Sequence, residues 1–244
     1  MLGSTRIGQG GMGVGGGFTR DDSRDEHFVA CLRRGIAQGL TFLDTAEAYG
    51  AGHSEELIGQ AVAGQRAAVC LASKVSPEHL AHDDVLRAAE RSLRRLGTDY
   101  LDLYQVHWPN PAVPIAGTMR ALERLVGEGL VRHLGVSNFS VPEAEAATEA
   151  LRHVPLAAVQ AELNLFDRTV EQDLLPWCAA RGITFIAYSP LDGGRLARAP
   201  EPALREIATR RGVTPAQVAL AWVVAHPGVI AIPTATRRAH VDEN

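Results

Sequence analysis

Four residues in the first half of the chain, Asp44, Tyr49, Lys74 and His107, are of types that together make a proton donor. A phenol titrates near pH 10, too high for easy proton transfer at neutral pH. An ammonium beside it favours the phenolate and lowers that value, and Lys74 can do this for Tyr49. A carboxylate keeps such a lysine charged and in place, which suits Asp44. His107 can hydrogen-bond a carbonyl oxygen and orient it. The group could then donate to an oxygen that is gaining negative charge. Each residue also has an ordinary reading: Asp44 as a helix cap, Lys74 as a snorkelling surface lysine, His107 as a satisfied core histidine.

The elements that would position them are short apolar runs alternating with longer amphipathic segments. Candidate strands cover residues 5–9, 40–44, 69–73, 101–106, 131–136, 157–161, 184–187 and 229–232. Near-continuous apolar runs suit strands buried on both faces. Between them, Val85, Leu86, Ala89, Leu93 and Leu96 share one helical face before Gly97, and Thr214 with Pro215 opens a helix running through Val224. Eight strands alternating with helices over 244 residues predict a single-domain (β/α)8 TIM barrel spanning residues 1–244. An open, doubly wound sheet shares the alternation. Residues 191–202, with Gly193 and Gly194, read as a longer loop that could move over a site.

A barrel places its chemistry at the C-terminal ends of its strands. By the candidate boundaries, the second strand ends at Asp44 with Tyr49 just beyond, the third runs into Lys74 and the fourth into His107. The fifth gives Ser137 and Asn138, the sixth Gln160, the seventh Tyr188 and Ser189, and the eighth Thr234. Seven strands ending in polar groups on one rim suggest a site. Trp108 is either a pocket wall or packing.

Other features narrow the function classes. Net charge is -4, from 24 basic and 28 acidic residues, which argues against a nucleic-acid partner. No apolar run reaches membrane-span length, and the N-terminus lacks the apolar core of a signal peptide. Cys31, Cys70 and Cys178 form no CxxC pair, so no metal site or disulfide framework is expected and a cytoplasmic setting is the simplest reading. Gly8, Gly10 and Gly13 satisfy GxGxxG, but the strand before them is very short and the residues after them cannot start a helix. These glycines read instead as a tight first loop. His53, His79, His82, His133, His153 and His226 read as solvated or loop histidines.

The segments "FLDTAEAYG" (42–50), "LASKV" (71–75), "LYQVHWP" (103–109), "GVSNF" (135–139) and "AYSPL" (187–191) resemble the aldo-keto reductase superfamily, in that family's order and over nearly the whole chain. The resemblance implies NADPH-dependent reduction of an aldehyde or ketone by hydride transfer from nicotinamide C4. Tyr49 would be the general acid, with Asp44, Lys74 and His107 as its partners. It implies that Ser137, Asn138 and Gln160 hold the nicotinamide carboxamide and that Tyr188 stacks on the ring. Ser189, Pro190 and Leu191 would follow the pyrophosphate. Ile232, Pro233 and Thr234, with Glu243 and Asn244, would meet the adenosine end. Many members have Lys–Ser where this chain has Thr234 and Ala235, and an arginine where it has His240. Arg237 or Arg238 could take over the 2′-phosphate, so NADPH is expected and NADH is possible. The sequence stops before the further helix and loop that usually follow, so these are expected to be lacking, as is the N-terminal hairpin. A monomer acting on a small-molecule carbonyl substrate is expected. The competing readings are a cofactor-binding regulatory subunit of the same fold and a barrel metallohydrolase. The latter needs several strand-end histidines that this sequence lacks.

Overall fold

Apolar runs that are buried on both faces become adjacent parallel strands in chain order. The computed structural model describes residues 5–244. Its strands are β1 (Gln9–Gly10), β2 (Phe42–Asp44), β3 (Cys70–Val75), β4 (Leu101–Val106), β5 (Val131–Ser137), β6 (Leu156–Glu162), β7 (Thr184–Tyr188) and β8 (Val229–Ala231). They form one parallel sheet in the order β1 to β8. The sheet closes on itself: Ile7 bridges Ala231, the Gly8 N–H donates to the Ala231 carbonyl at 2.8 Å and the Gly10 N–H to that of Pro233 at 3.1 Å. This is the (β/α)8 barrel that the alternation predicts.

The helices are α1 (Asp25–Ala37), α2 (His53–Val62), α3 (His82–Leu96), α4 (Ile115–Gly127), α5 (Val141–Ala150), α6 (Leu174–Arg181), α7 (Arg195–Arg198), α8 (Pro202–Arg211), α9 (Pro215–Ala225) and α10 (Arg238–Glu243). In α3 the residues Val85, Ala88, Ala89, Leu93 and Leu96 face inward at helical spacing. Thr214 caps α9 with Gln217, each side chain bonding the other's backbone N–H. No helix among the described residues is long and apolar enough to cross a membrane.

The apolar residues divide between the two faces of the sheet. Helix-facing residues pack between sheet and helices. Phe42, Ala72, Leu103, Ala158, Ile186, Ile230 and Ile232 fill the barrel interior. Filled layers make the barrel a plug rather than a pore, so polar residues one step further along the strands sit on a solid floor.

Three expectations need correction. The first strand is not a ladder over residues 5–9, because the run divides between neighbours: Ile7 and Gly8 bond toward β8, while Gln9 and Gly10 pair with Leu43 and Asp44. Residues 191–202 are not an open loop. They form a 3-10 turn (Asp192–Gly194) and α7, anchored by the buried Leu196 against Leu204 and Ala219. His53 is neither solvated nor in a loop: it opens α2 and is buried.

Candidate active site

The strand ends converge on one cavity of about 770 Å³. Its wall includes Asp44, Tyr49, His107, Trp108, Ser137, Asn138, Gln160, Tyr188, Ser189, Pro190, Leu191, Ile232, Pro233, Thr234, Glu243 and Asn244. Two residues singled out from the sequence do not reach it. Lys74 is fully buried behind Asp44 and Tyr49. Arg238 begins α10 outside the cavity wall, close enough to Cys31 of α1 for its charge to be felt there, whereas Arg237, one residue earlier, lines the cavity with Arg198 and His240.

Asp44 ends β2, and its Oδ1 lies 2.5 Å from Lys74 Nζ. Lys74 also donates to the Thr45 carbonyl at 3.0 Å and to the Tyr49 hydroxyl at 3.4 Å. Burial works against the ammonium, but Asp44 and Tyr49 more than offset it and hold its pKa above the usual lysine value. Tyr49 starts the 3-10 turn after β2. Glu47 pins this segment: it accepts from the Ser76 N–H at 2.8 Å and from Arg91 at 3.2 Å, and lies 2.8 Å from His79 Nδ1.

The phenol differs from the sequence expectation. Burial raises the Tyr49 pKa, Lys74 pulls it down, Asp44 adds to the rise, and the net shift is upward. Tyr49 therefore stays protonated, as a donor must. Burial, with the Lys74 charge added, pushes His107 down to about 2, so its imidazole is neutral. His107 Nε2 lies 3.4 Å from the Tyr49 oxygen, and the Trp108 ring stacks on the imidazole at 3.8 Å.

Backbone strain marks the same rim. Asn138 follows β5 with φ 63° and Ser189 follows β7 with φ 48°, both left-handed conformations that non-glycine residues rarely adopt. Asn138 donates to the His107 carbonyl at 2.9 Å, and Tyr188 donates to Asn138 Oδ1 at 2.8 Å, which ties the ends of β4, β5 and β7 together.

Sequence reasoning missed Gln105 and Glu47. Gln105 is the polar residue inside "LYQVHWP", two before His107 and so on the same strand face. Gln105 and Gln160 both reach Asp44 Oδ2, at 3.4 and 2.9 Å. The first loop also contributes, through Gly10, Gly11, Met12 and Phe18. A Cβ on Gly10 would sit 2.7 Å from the Ile232 carbonyl, so this glycine is needed for close passage between β1 and β8. Among the described residues, one trio of metal-type ligands comes together, Asp22, Asp25 and His53, and it shares no member with the strand-end set.

Comparison with known proteins shows which family the chain belongs to. The sequence model of the Aldo/keto reductase family matches residues 6–244. The chain is 41% identical over 241 residues to methylglyoxal reductase YeaE of Escherichia coli (strain K12), covering 98% of this chain and 83% of that protein. A crystal structure of the thermostable aldo-keto reductase Tm1743 superposes with a TM-score of 0.94 at 45% identity, over 98% of this chain and 88% of that one. An aldo-keto reductase from Klebsiella pneumoniae, crystallised with NADPH, superposes with a TM-score of 0.92 at 41% identity, over 98% and 84%. The chain belongs to the aldo/keto reductase family.

Proposed function

We propose that this chain is an NADPH-dependent carbonyl reductase in which Tyr49 protonates the carbonyl oxygen. The observation that carries the reading is the set of bonds around the Tyr49 oxygen. Lys74 Nζ and His107 Nε2 both lie 3.4 Å from it. Among the described residues, His107 Nδ1 is buried without a partner, which suits an unprotonated nitrogen and leaves the proton on Nε2. The phenol oxygen then accepts from both neighbours, and its own proton is free to point into the cavity. Such contacts tighten in the loaded site. As that proton leaves, Lys74 stabilises the phenolate, and Asp44 keeps Lys74 charged and in place.

The donor set fits a nicotinamide dinucleotide. Ser137, Asn138 and Gln160 offer hydroxyl and amide groups at the proton-donor end, where a carboxamide needs them. Tyr188 gives a ring face there, and Ser189, Pro190 and Leu191 continue the wall. Ile232, Pro233 and Thr234, with Glu243 and Asn244, also line the cavity, and Arg198, Arg237 and His240 on the same wall supply basic groups for a phosphate. When bound, the cofactor supplies hydride to the carbonyl carbon. Trp108, Met12 and Phe18 make an apolar wall for a small substrate. The α-oxoaldehyde named for the E. coli relative is a sensible first assay compound.

The test pairs binding with turnover. NADPH should quench protein fluorescence more tightly than NADH does. Tyr49→Phe should bind NADPH within about twofold of wild type and reduce aldehydes about 10²–10⁴-fold more slowly. An unchanged rate in this variant would sink the proton-donor assignment. Tight NADPH binding with no turnover across a broad carbonyl panel would favour the regulatory-subunit reading.

A further inference from the structure

The floor of the cavity is a polar layer laid on apolar ones. Asp44, Gln105 and Gln160 come from β2, β4 and β6, each two residues beyond an interior apolar residue: Phe42, Leu103 and Ala158. Alternate strands supplying one layer is how such barrels fill their interior. Here the layer holds a carboxylate, so each of its oxygens needs donors. Oδ1 takes Lys74. Oδ2 takes Gln160 Nε2 at 2.9 Å and Gln105 Nε2 at 3.4 Å.

The two glutamines are not equivalent. Gln160 is part of the cavity wall and Gln105 is not. Gln105 is fully buried. It fits against Gly135 of β5, where a Cβ would sit 2.9 Å from Gln105 Cγ, so the slot is cut for this side chain. Gln160 Nε2 also lies 3.5 Å from Gln105 Oε1, which aims the Gln105 amide nitrogen at Asp44.

We propose that Gln105 is a positioning residue: it holds Asp44 Oδ2 when the Gln160 amide turns from Asp44 toward a bound dinucleotide. This rests on the reading of Gln160 as a cofactor contact. Without Gln105, moving Gln160 would strand a buried carboxylate oxygen, and that penalty would appear as weaker cofactor binding. Gln105 touches no substrate in this scheme and acts only through Asp44.

The test is an NADPH fluorescence titration on purified full-length variants. Gln105→Met keeps the volume and removes the donor, and should weaken NADPH about tenfold. In a Gln160→Met background the same change should add less than twofold, because no amide is left to withdraw. Gln105→Glu keeps the shape. Its introduced carboxyl donates to Asp44 when neutral and repels it when ionised, so NADPH affinity relative to wild type should recover as pH falls from 8 to 6. A merely structural role would weaken binding equally in both backgrounds and at every pH, and that result overturns the proposal. Wild-type affinity in Gln105→Met overturns it as well. If the wild-type chain binds neither dinucleotide, the reading of the whole site fails and takes this inference with it, an outcome separable from the others because it appears before any substitution is made.

Discussion

Two charged clusters flank the segment between β2 and α2, and they are built in opposite ways. In the first, Asp44 and Lys74 are 2% and 0% exposed, and among the described residues the side chains bonded to them come from the barrel strands or from Tyr49. In the second, the His53 side chain is 2% exposed while Asp22, Asp25 and Glu56 around it are 61%, 31% and 36% exposed. The first cluster is almost fully buried at the cavity floor, so each missing partner leaves a charge that little water can reach. The second meets water through its carboxylates, which can rehydrate. A buried pair with fixed geometry suits chemistry. A half-solvated cluster suits tethering one segment to another, with a strength that pH and salt adjust.

The largest effect should follow from breaking the first cluster. Lys74→Met leaves Asp44 buried without its cation, a loss of about 3–5 kcal/mol for pairs of this kind. The melting temperature should fall by roughly 10 °C. Carbonyl reduction should slow about 10³-fold, because the phenolate then has no cation beside it. Adding Asp44→Asn to that variant should restore most of the thermal stability and none of the activity. Recovery of both, or loss of neither, would mean that the pair is structural filler rather than the support of Tyr49.

The contrast also explains what could be read from the sequence. Asp44, Lys74 and His107 were legible because each lies at the end of an apolar strand run, and barrel geometry brings such ends to one rim. The same rule recovered Ser137, Gln160 and Tyr188 as part of that rim. Gln105 was hidden because it sits within a strand run, where one polar residue looks like noise; its even spacing from Leu103 and His107 is the signal that would have found it. His53 was hidden for another reason. Its ring bonds Asp25 from 28 positions upstream, with α1 and β2 between them, so no local spacing links the two. Helix α10 was missed likewise, since it is held by Asp242 bonding Arg34 of α1 and Gln38 just beyond its end. The direction of the Tyr49 shift could not be read either, since a residue list carries the neighbouring charges but not the burial that outweighs them.

A smaller effect is expected from the second cluster. His53 Nδ1 lies 2.8 Å from Glu56, and Nε2 lies 2.9 Å from Asp25. Both ring nitrogens face carboxylates, an arrangement that only the imidazolium satisfies fully. Burial opposes that charge, but the bonds to Glu56 and Asp25 outweigh it, and the pKa is raised, with Arg20 the opposing cation nearby. A raised folded-state pKa gives stability that is fully present below about pH 6.5, the unfolded value, and is lost as pH rises through the folded value. His53→Gln should therefore melt roughly 2–4 °C below wild type at pH 6, with the gap closing by pH 9. The tethered segment runs back to Phe18 and Met12 on the cavity wall. KM for the carbonyl should rise a few-fold in the variant while kcat stays within twofold. A gap that widens with pH would show that His53 is held neutral and would remove the tether.

The smallest effect should come from the most exposed member of that cluster. Asp22 lies 3.0 Å from His53 Nε2 and 2.7 Å from Arg20 Nε, and its side chain is 61% exposed. Exposed pairs of this kind contribute little and are screened by salt. Asp25 holds the same ring nitrogen at 2.9 Å and stays in place when Asp22 is changed. Asp22→Asn should shift melting by less than about 1 °C at low salt and by nothing measurable at 1 M salt. A loss as large as that of His53→Gln, and insensitive to salt, would show that the cluster excludes water as the Asp44–Lys74 pair does, and the contrast between the two clusters would collapse.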